Sequence, residues 1–199
     1  MNMQTVLERN ETTLIRSKSS FIGILIHATS VELVKQYLNE VRKEYPKAKH
    51  YCYAYIIGHF KKCSDDGEPS KTAGRPLLEL LERKQLDEVL LIVVRYFGGV
   101  LLGASRLMST YIESGAQTID LADLVTIEQK YVYHLSMSYK DFDSLKHYAI
   151  KYSFSFENVE YKDKINVDVL TNENTGEKLS MMFPSASIEV YGIKKVYKR

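Results

Sequence analysis

This chain has no tryptophan, only two cysteines and only four prolines in 199 residues. Cys52 and Cys63 are too few for a disulfide framework. Without a Cys-x-x-Cys or a paired histidine spacing they do not make a metal site either. No stretch approaches the roughly 18 consecutive apolar residues a membrane span needs. Met1 to Thr13 shows no apolar run behind basic residues, so no secretory signal is expected there. A strong charge of either sign is also missing: the formal net charge is +2, and acidic and basic residues nearly cancel on both sides of Asp123. A basic nucleic-acid domain is therefore not expected from charge alone. The tail, with Lys194, Lys195, Lys198 and Arg199, is the best local patch, although such runs are commonly just solvated chain. There is no internal repeat and no low-complexity segment. These absences predict a reduced, soluble, cytoplasmic protein.

What is present is an ordinary globular balance, 45% hydrophobic and 26% charged, with 15 tyrosines. Thr5 to Ile26 alternates around Ser17-Lys18-Ser19-Ser20 and reads as strands, Phe21 to Ile26 being the more buried run. Thr29 and Glu32 form a capping box for a helix with Val34, Tyr37, Leu38, Val41 and Tyr45 on one face, stopped at Pro46. Tyr51 to Ile57 is a strand closed by Gly58. A polar loop, His59 to Thr72, then exceeds the usual connection of about 4–6 residues. A short helix starts near Pro76 and buries Leu77, Leu78, Leu80 and Leu81. Val89 to Val94, six aliphatic residues in a row, suits a central strand. The helix from about Ala104 to Ala122 is expected to bury Leu107, Met108, Tyr111, Ile112, Gly115 and Ile119. This order predicts an α+β domain over residues 1–123, two-layered, with its helices packed on one sheet.

From Leu124 the pattern restarts and defines a second domain, 124–199. Strand (125–139), helix (141–151), two strands (152–161, 164–170), short helix (178–183) and strand (186–197) make βαββαβ, the ferredoxin-like arrangement. The second helix is its weakest element.

Two stretches carry unusual polar chemistry. One is Ser64-Asp65-Asp66-Gly67-Glu68-Pro69, followed by Thr72, Gly74, Arg75 and Pro76. The other is Arg95-Tyr96-Phe97-Gly98-Gly99, followed by Gly103 and Arg106. The expectation is that the two meet in the fold. Three readings stay open. Gly98-Gly99 and the following helix start, with Arg95 and Arg106, would suit a phosphate or nucleic-acid backbone. Asp65, Asp66 and Glu68 would suit Mg²⁺. Alternatively, Asp66 or Glu68 pairs Arg75 or Arg95 in a structural network. The glycines do not have Walker or dinucleotide spacing, so no cofactor is expected. Cys63 near Lys61, Lys62, His59 and His50 is a poor candidate thiolate, and Cys52 reads as core. His27, His134 and His147 are scattered. Ser105 lacks the Gly-x-Ser-x-Gly context of a nucleophile elbow and reads as a helix-end residue.

Together these stretches, with the spacing from Gly74 through the leucine helix to Arg95-Tyr96-Phe97-Gly98-Gly99, resemble the signature of the IMPACT (imprinted and ancient) family in its bacterial YigZ-like branch. The resemblance covers most of residues 15–123. Lys71 stands where the family pattern has glycine. The resemblance implies a first domain like the second domain of ribosomal protein S5 and a second, ferredoxin-like domain similar to those of translational elongation factors. It also implies a link to translation or stress response, as eukaryotic members act in translational control; the expected contact with a protein, RNA or ribosome partner is through 64–76 and 95–106. No complete catalytic constellation is visible. A binding function is therefore expected ahead of the alternative, a metal-assisted hydrolase or nucleotide-handling enzyme using Asp65, Asp66 and Glu68.

Overall fold

The structure, a computed structural model, describes residues 3–199. In chain order it contains β1 (Gln4–Val6), β2 (Asn10–Arg16), β3 (Ser19–His27), α1 (Val31–Glu44), β4 (His50–Ile57), β5 (Phe60–Ser64), α2 (Gly74–Arg83), β6 (Val89–Tyr96) and α3 (Ala104–Asp120). These are followed by β7 (Leu124–Met137), α4 (Tyr139–Tyr152), β8 (Ser155–Tyr161), β9 (Ile165–Thr171), α5 (Gly176–Met182) and β10 (Ser187–Lys198). The chain divides into two compact units. One reaches Thr126 and includes Arg199; the other is Ile127–Lys198.

The first unit is built on β6. Val89 to Val94 are inaccessible on both faces, which is why the run is continuously aliphatic rather than alternating. β6 lies at the middle of an antiparallel sheet ordered β2-β3-β6-β4-β5. One face of β3 (Phe21, Leu25) and β6 (Leu91, Val93) packs with Leu77 and Leu81 of α2 and Leu107 and Tyr111 of α3. The opposite face, with Ile22, Ile24, Leu90 and Ile92, packs with Val34 and Val41 of α1. Helices therefore cover both faces, and the unit has three layers where the sequence predicted two. The hydrophobic pattern of α1 is one-sided, but pattern alone does not say which face of the sheet a helix covers.

Three local expectations change. The cap of α1 is Ser30, whose hydroxyl accepts from the Leu33 amide at 3.2 Å, so the box built on Thr29 does not form. The expected loop from His59 begins instead as β5, paired to β4 through a two-residue turn with Gly58 at φ +57. A left-handed glycine is what such a hairpin turn accommodates, and the irregular segment shrinks to residues 65–73. Finally, α3 buries Leu107, Tyr111, Gly115 and Ile119 as expected, but the edge of its buried face differs. Met108 is 38% exposed, while Thr110, Ser114 and Thr118 are buried. A β-carbon on Gly23 of β3 would lie 2.1 Å from Thr118 Oγ1 and 3.0 Å from the Ser114 carbonyl oxygen. Small residues on the helix and a glycine on the strand allow a close approach that leucine-counting misses.

In the second unit the elements follow βαββαβ. The strands from β7 to β10 are ordered β10-β7-β9-β8. Tyr133, Leu135, Met137, Val167 and Val169 form one buried sheet face with Phe142 and Leu145 of α4 and Leu179 of α5. Alternate residues face the other way, and there His134 Nδ1 meets Asp168 Oδ1 at 2.8 Å. Ser138 caps α4 by accepting from the Asp141 amide. The weak second helix is present as α5, one residue longer than predicted and starting at Gly176.

Candidate recognition site

The two polar stretches do meet. Glu68 and Arg95, both nearly inaccessible, pair at 2.5 Å through Oε1 and Nη1. Tyr111 of α3 donates its hydroxyl to the same carboxylate oxygen at 2.8 Å, and Cys52 Sγ lies 3.3 Å from that hydroxyl. Burial pushes the Tyr111 hydroxyl and the Cys52 thiol up from their ordinary values, so both stay protonated donors. A carboxylate satisfied by a guanidinium and a phenol can be tolerated out of water, whereas a lone one cannot. The guanidinium sits 5.2 Å from the Phe21 ring centre and 5.4 Å from that of Phe97. Its Nε is enclosed and has no hydrogen-bond partner among the described residues.

The other two acidic residues shape the loop. Asp65 accepts from the backbone amides of Lys71, Ala73 and Gly74 at 2.9, 3.0 and 2.8 Å. It thereby caps α2, whose own N-cap position, Ala73, has no side chain for the task. Asp66 accepts from the Tyr51 amide at 2.7 Å and from Arg42 Nη2 at 2.9 Å. The hydroxyl of Ser64 accepts from the Asp66 amide, and that of Thr72 donates to the Pro69 carbonyl. Gly74 is pressed onto the backbone of Ser64, where a β-carbon would approach within 2.6 Å. Lys71 holds φ +63, in the left-handed region that glycine enters without penalty.

The three carboxylates therefore serve three separate sets of partners. Among the described residues no group of three His, Cys, Asp or Glu side chains is placed to hold a metal ion. The Mg²⁺ reading is not supported by this geometry. Arg75 is exposed and pairs with Glu79 one turn along α2 at 2.8 Å, not with Asp66 or Glu68. Burial, ahead of the nearby Asp65 charge, raises the half-buried Cys63 thiol, the opposite of what a nucleophilic thiolate needs.

The second stretch divides in two. Tyr96 is tied by its hydroxyl to the Pro46 carbonyl, and the Gly98 amide donates to Ser19 Oγ at 3.1 Å. A β-carbon on Gly98 would lie 2.1 Å from the Lys18 backbone. From Gly99, at φ +84, the chain turns outward. Phe97, Val100 and Leu101 are exposed, Leu101 by 87%. Gly103 is the N-cap of α3, and no side chain among the described residues caps that helix. Arg106 is exposed one turn in and lines a separate hollow with Arg16, Ser109, Thr110 and Glu113. Arg95 and Arg106 thus do not form one cationic pair.

Between the stretches lies a cleft of about 390 Å³. Lys49, His50, Glu68 and Arg95 give it a polar wall; Pro69, Phe97, Leu101, Leu102 and Leu107 give it an apolar one. Lys49 and His50 were not among the predicted site residues. They enter because β4 pairs with β6 in a register that sets His50 opposite Arg95. His50 Nδ1 donates to the Asp66 carbonyl at 2.8 Å, and its Nε2 lies 3.8 Å from Glu68 Oε2.

Comparison with known proteins completes this picture. The Impact N-terminal domain matches residues 17–119, a span holding both stretches and the cleft. The IMPACT family member YvyE of Bacillus subtilis is 30% identical over 172 residues, covering 85% of this chain and 79% of that protein. The chain belongs to the IMPACT family. Among its bacterial relatives, YigZ of Escherichia coli is 42% identical over 99 residues, 47% of this chain and 48% of YigZ. A solved structure described as that of a hypothetical protein is 26% identical with a TM-score of 0.66, covering 96% of this chain and 98% of its own. IMPACT relatives therefore match both the signature stretches and most of the chain's length.

Proposed function

We propose that this IMPACT family protein is a non-enzymatic, cytoplasmic binding protein linked to translation or stress response. Its first unit engages a protein, RNA or ribosomal partner through the 64–76 and 95–106 loops. Family membership supports the role. The observation that carries the binding reading is the contrast in that site: Asp65, Asp66 and Glu68 are each engaged by partners within the protein, while Phe97, Val100 and Leu101 stand exposed at an open cleft and Arg106 at a neighbouring hollow. Exposed apolar and cationic side chains on a loop held by a rigid base are what a recognition surface requires.

The reading extends to the folds. The first unit is proposed to share the fold of the second domain of ribosomal protein S5. The second is proposed to be ferredoxin-like, a reading supported by its βαββαβ order and its strand sequence β10-β7-β9-β8. Ribosome co-sedimentation across a salt series tests the function. Association should weaken with salt, and Arg106→Ala and Phe97→Ala should reduce it while leaving the melting temperature unchanged. If the purified protein neither sediments with ribosomes nor retains RNA or a translation-linked protein, the reading fails.

A further inference from the structure

The cleft has a composition that selects a ligand. At one end Gly103 and Ala104 bring the start of α3 to the cleft, where the first amides of the helix have no side-chain cap and no acidic residue lies in the first turn. Such amides carry partial positive charge, equivalent to roughly half a unit at the helix end. A helix end alone means little, but here the enclosed Arg95, with its unpartnered Nε, lines the same cleft. The exposed Lys49 stands at the mouth, its Nζ 5.5 Å from the Phe97 ring centre. Across from these lie Phe97, Leu102 and Leu107.

The charges can be counted. Arg95 and Glu68 cancel as a pair, leaving Lys49 and the end of α3 uncompensated. That balance fits one negative charge. A phosphate dianion would bring a second charge toward Glu68, whose Oε2 is held by neither Arg95 nor Tyr111 and faces His50 Nε2 at 3.8 Å. The volume, about 390 Å³, lies within the range of small-molecule sites, roughly 300–1,000 Å³.

We infer that this cleft binds a carboxylate carrying an adjacent apolar group, with the carboxylate between Lys49 and the first amides of α3 and the apolar group against Phe97, Leu102 and Leu107. Two sources share this chemistry: a free small carboxylic acid, and the C-terminal end of a chain finishing in an apolar residue. The inference deepens, and rests on, the reading of these loops as a recognition surface.

Amide chemical shifts of the full-length ¹⁵N-labelled protein, titrated with N-acetyl-leucine at millimolar concentration, test it. Saturable shifts are expected at Ala104, Ser105 and Arg106. The neutral N-acetyl-leucinamide should leave these signals in place, and inorganic phosphate should bind more weakly than the carboxylate. Lys49→Gln, at an exposed position, should weaken N-acetyl-leucine roughly tenfold, the loss of one charge-assisted contact. A tripeptide ending in leucine with a free carboxylate, binding more tightly than N-acetyl-leucine, would support a chain end as the source; equal affinity would support the small acid. The inference is overturned by no saturable shift with either carboxylate, by equal binding of the amide, or by tighter binding of phosphate. The readout is on the purified protein, so a negative titration leaves ribosome association standing, and a negative sedimentation leaves the titration standing.

Discussion

The 64–76 loop and the 95–106 stretch look alike in sequence, each mixing glycine, arginine and polar side chains, yet they do different work. In the first loop, Asp65, Asp66 and Glu68 all turn inward and hold the backbone of α2, the start of β4 and the guanidinium of Arg95. The second begins at the end of a buried strand, opens after Gly98 into an exposed loop and closes in the first turn of α3. A family signature can thus contain an architectural half and an exposed half. A polar residue within it is evidence of chemistry only after its partners are known.

The contrast breaks hardest at Glu68, the tie between the two stretches. Glu68→Ala leaves Arg95 enclosed without its counter-charge and should cost about 3–5 kcal/mol in urea unfolding. Glu68→Gln, which keeps an acceptor for Tyr111, should cost less. If Glu68→Ala is neutral, the pair is not the tie described here. The next largest effect separates adjacent glycines. Gly98→Ala drives a β-carbon into the Lys18 backbone and should cost about 2–3 kcal/mol. Gly99→Ala meets nothing within 4 Å and bears only its left-handed backbone, about 1 kcal/mol. Equal losses in thermal unfolding would erase the boundary drawn between them.

Asp65→Ala removes the cap of α2 and should cost about 1–2 kcal/mol, with faster hydrogen exchange confined to the Lys71, Ala73 and Gly74 amides. Global exchange would mean that Asp65 does more than cap. The smallest effect has the opposite sign. Lys71→Gly relieves a left-handed lysine and should stabilise by about 0.5–1 kcal/mol, part of the gain being lost to the freer unfolded chain.

Much of the fold was legible. The run Val89 to Val94 announces a strand covered on both faces, and Leu77, Leu78, Leu80 and Leu81 announce the buried side of α2. The burial of Ser114 and Thr118 on α3 was not legible, because they are buried for their small size against Gly23 rather than for hydrophobicity. The site was half legible. The meeting of Glu68 and Arg95 followed from recognising two unusual stretches. The cap of α2 did not, because helix-end rules look one residue upstream and the carboxylate arrives from Asp65, eight positions before Ala73. Lys49 and His50 were hidden for a topological reason: only the β4–β6 register brings them to Arg95.

The position of β6 in the sheet also governs how the chain is assembled in time. During synthesis β3 and β4 emerge well before the strand that must lie between them, and neither can pair with its native neighbour on that side until Val89 to Tyr96 follows. Sheets closed by such distant pairings form slowly and leave apolar edges uncovered meanwhile. A nascent chain halted before β6 should therefore be sensitive to protease and to chaperone capture, and release of the next few residues should end both.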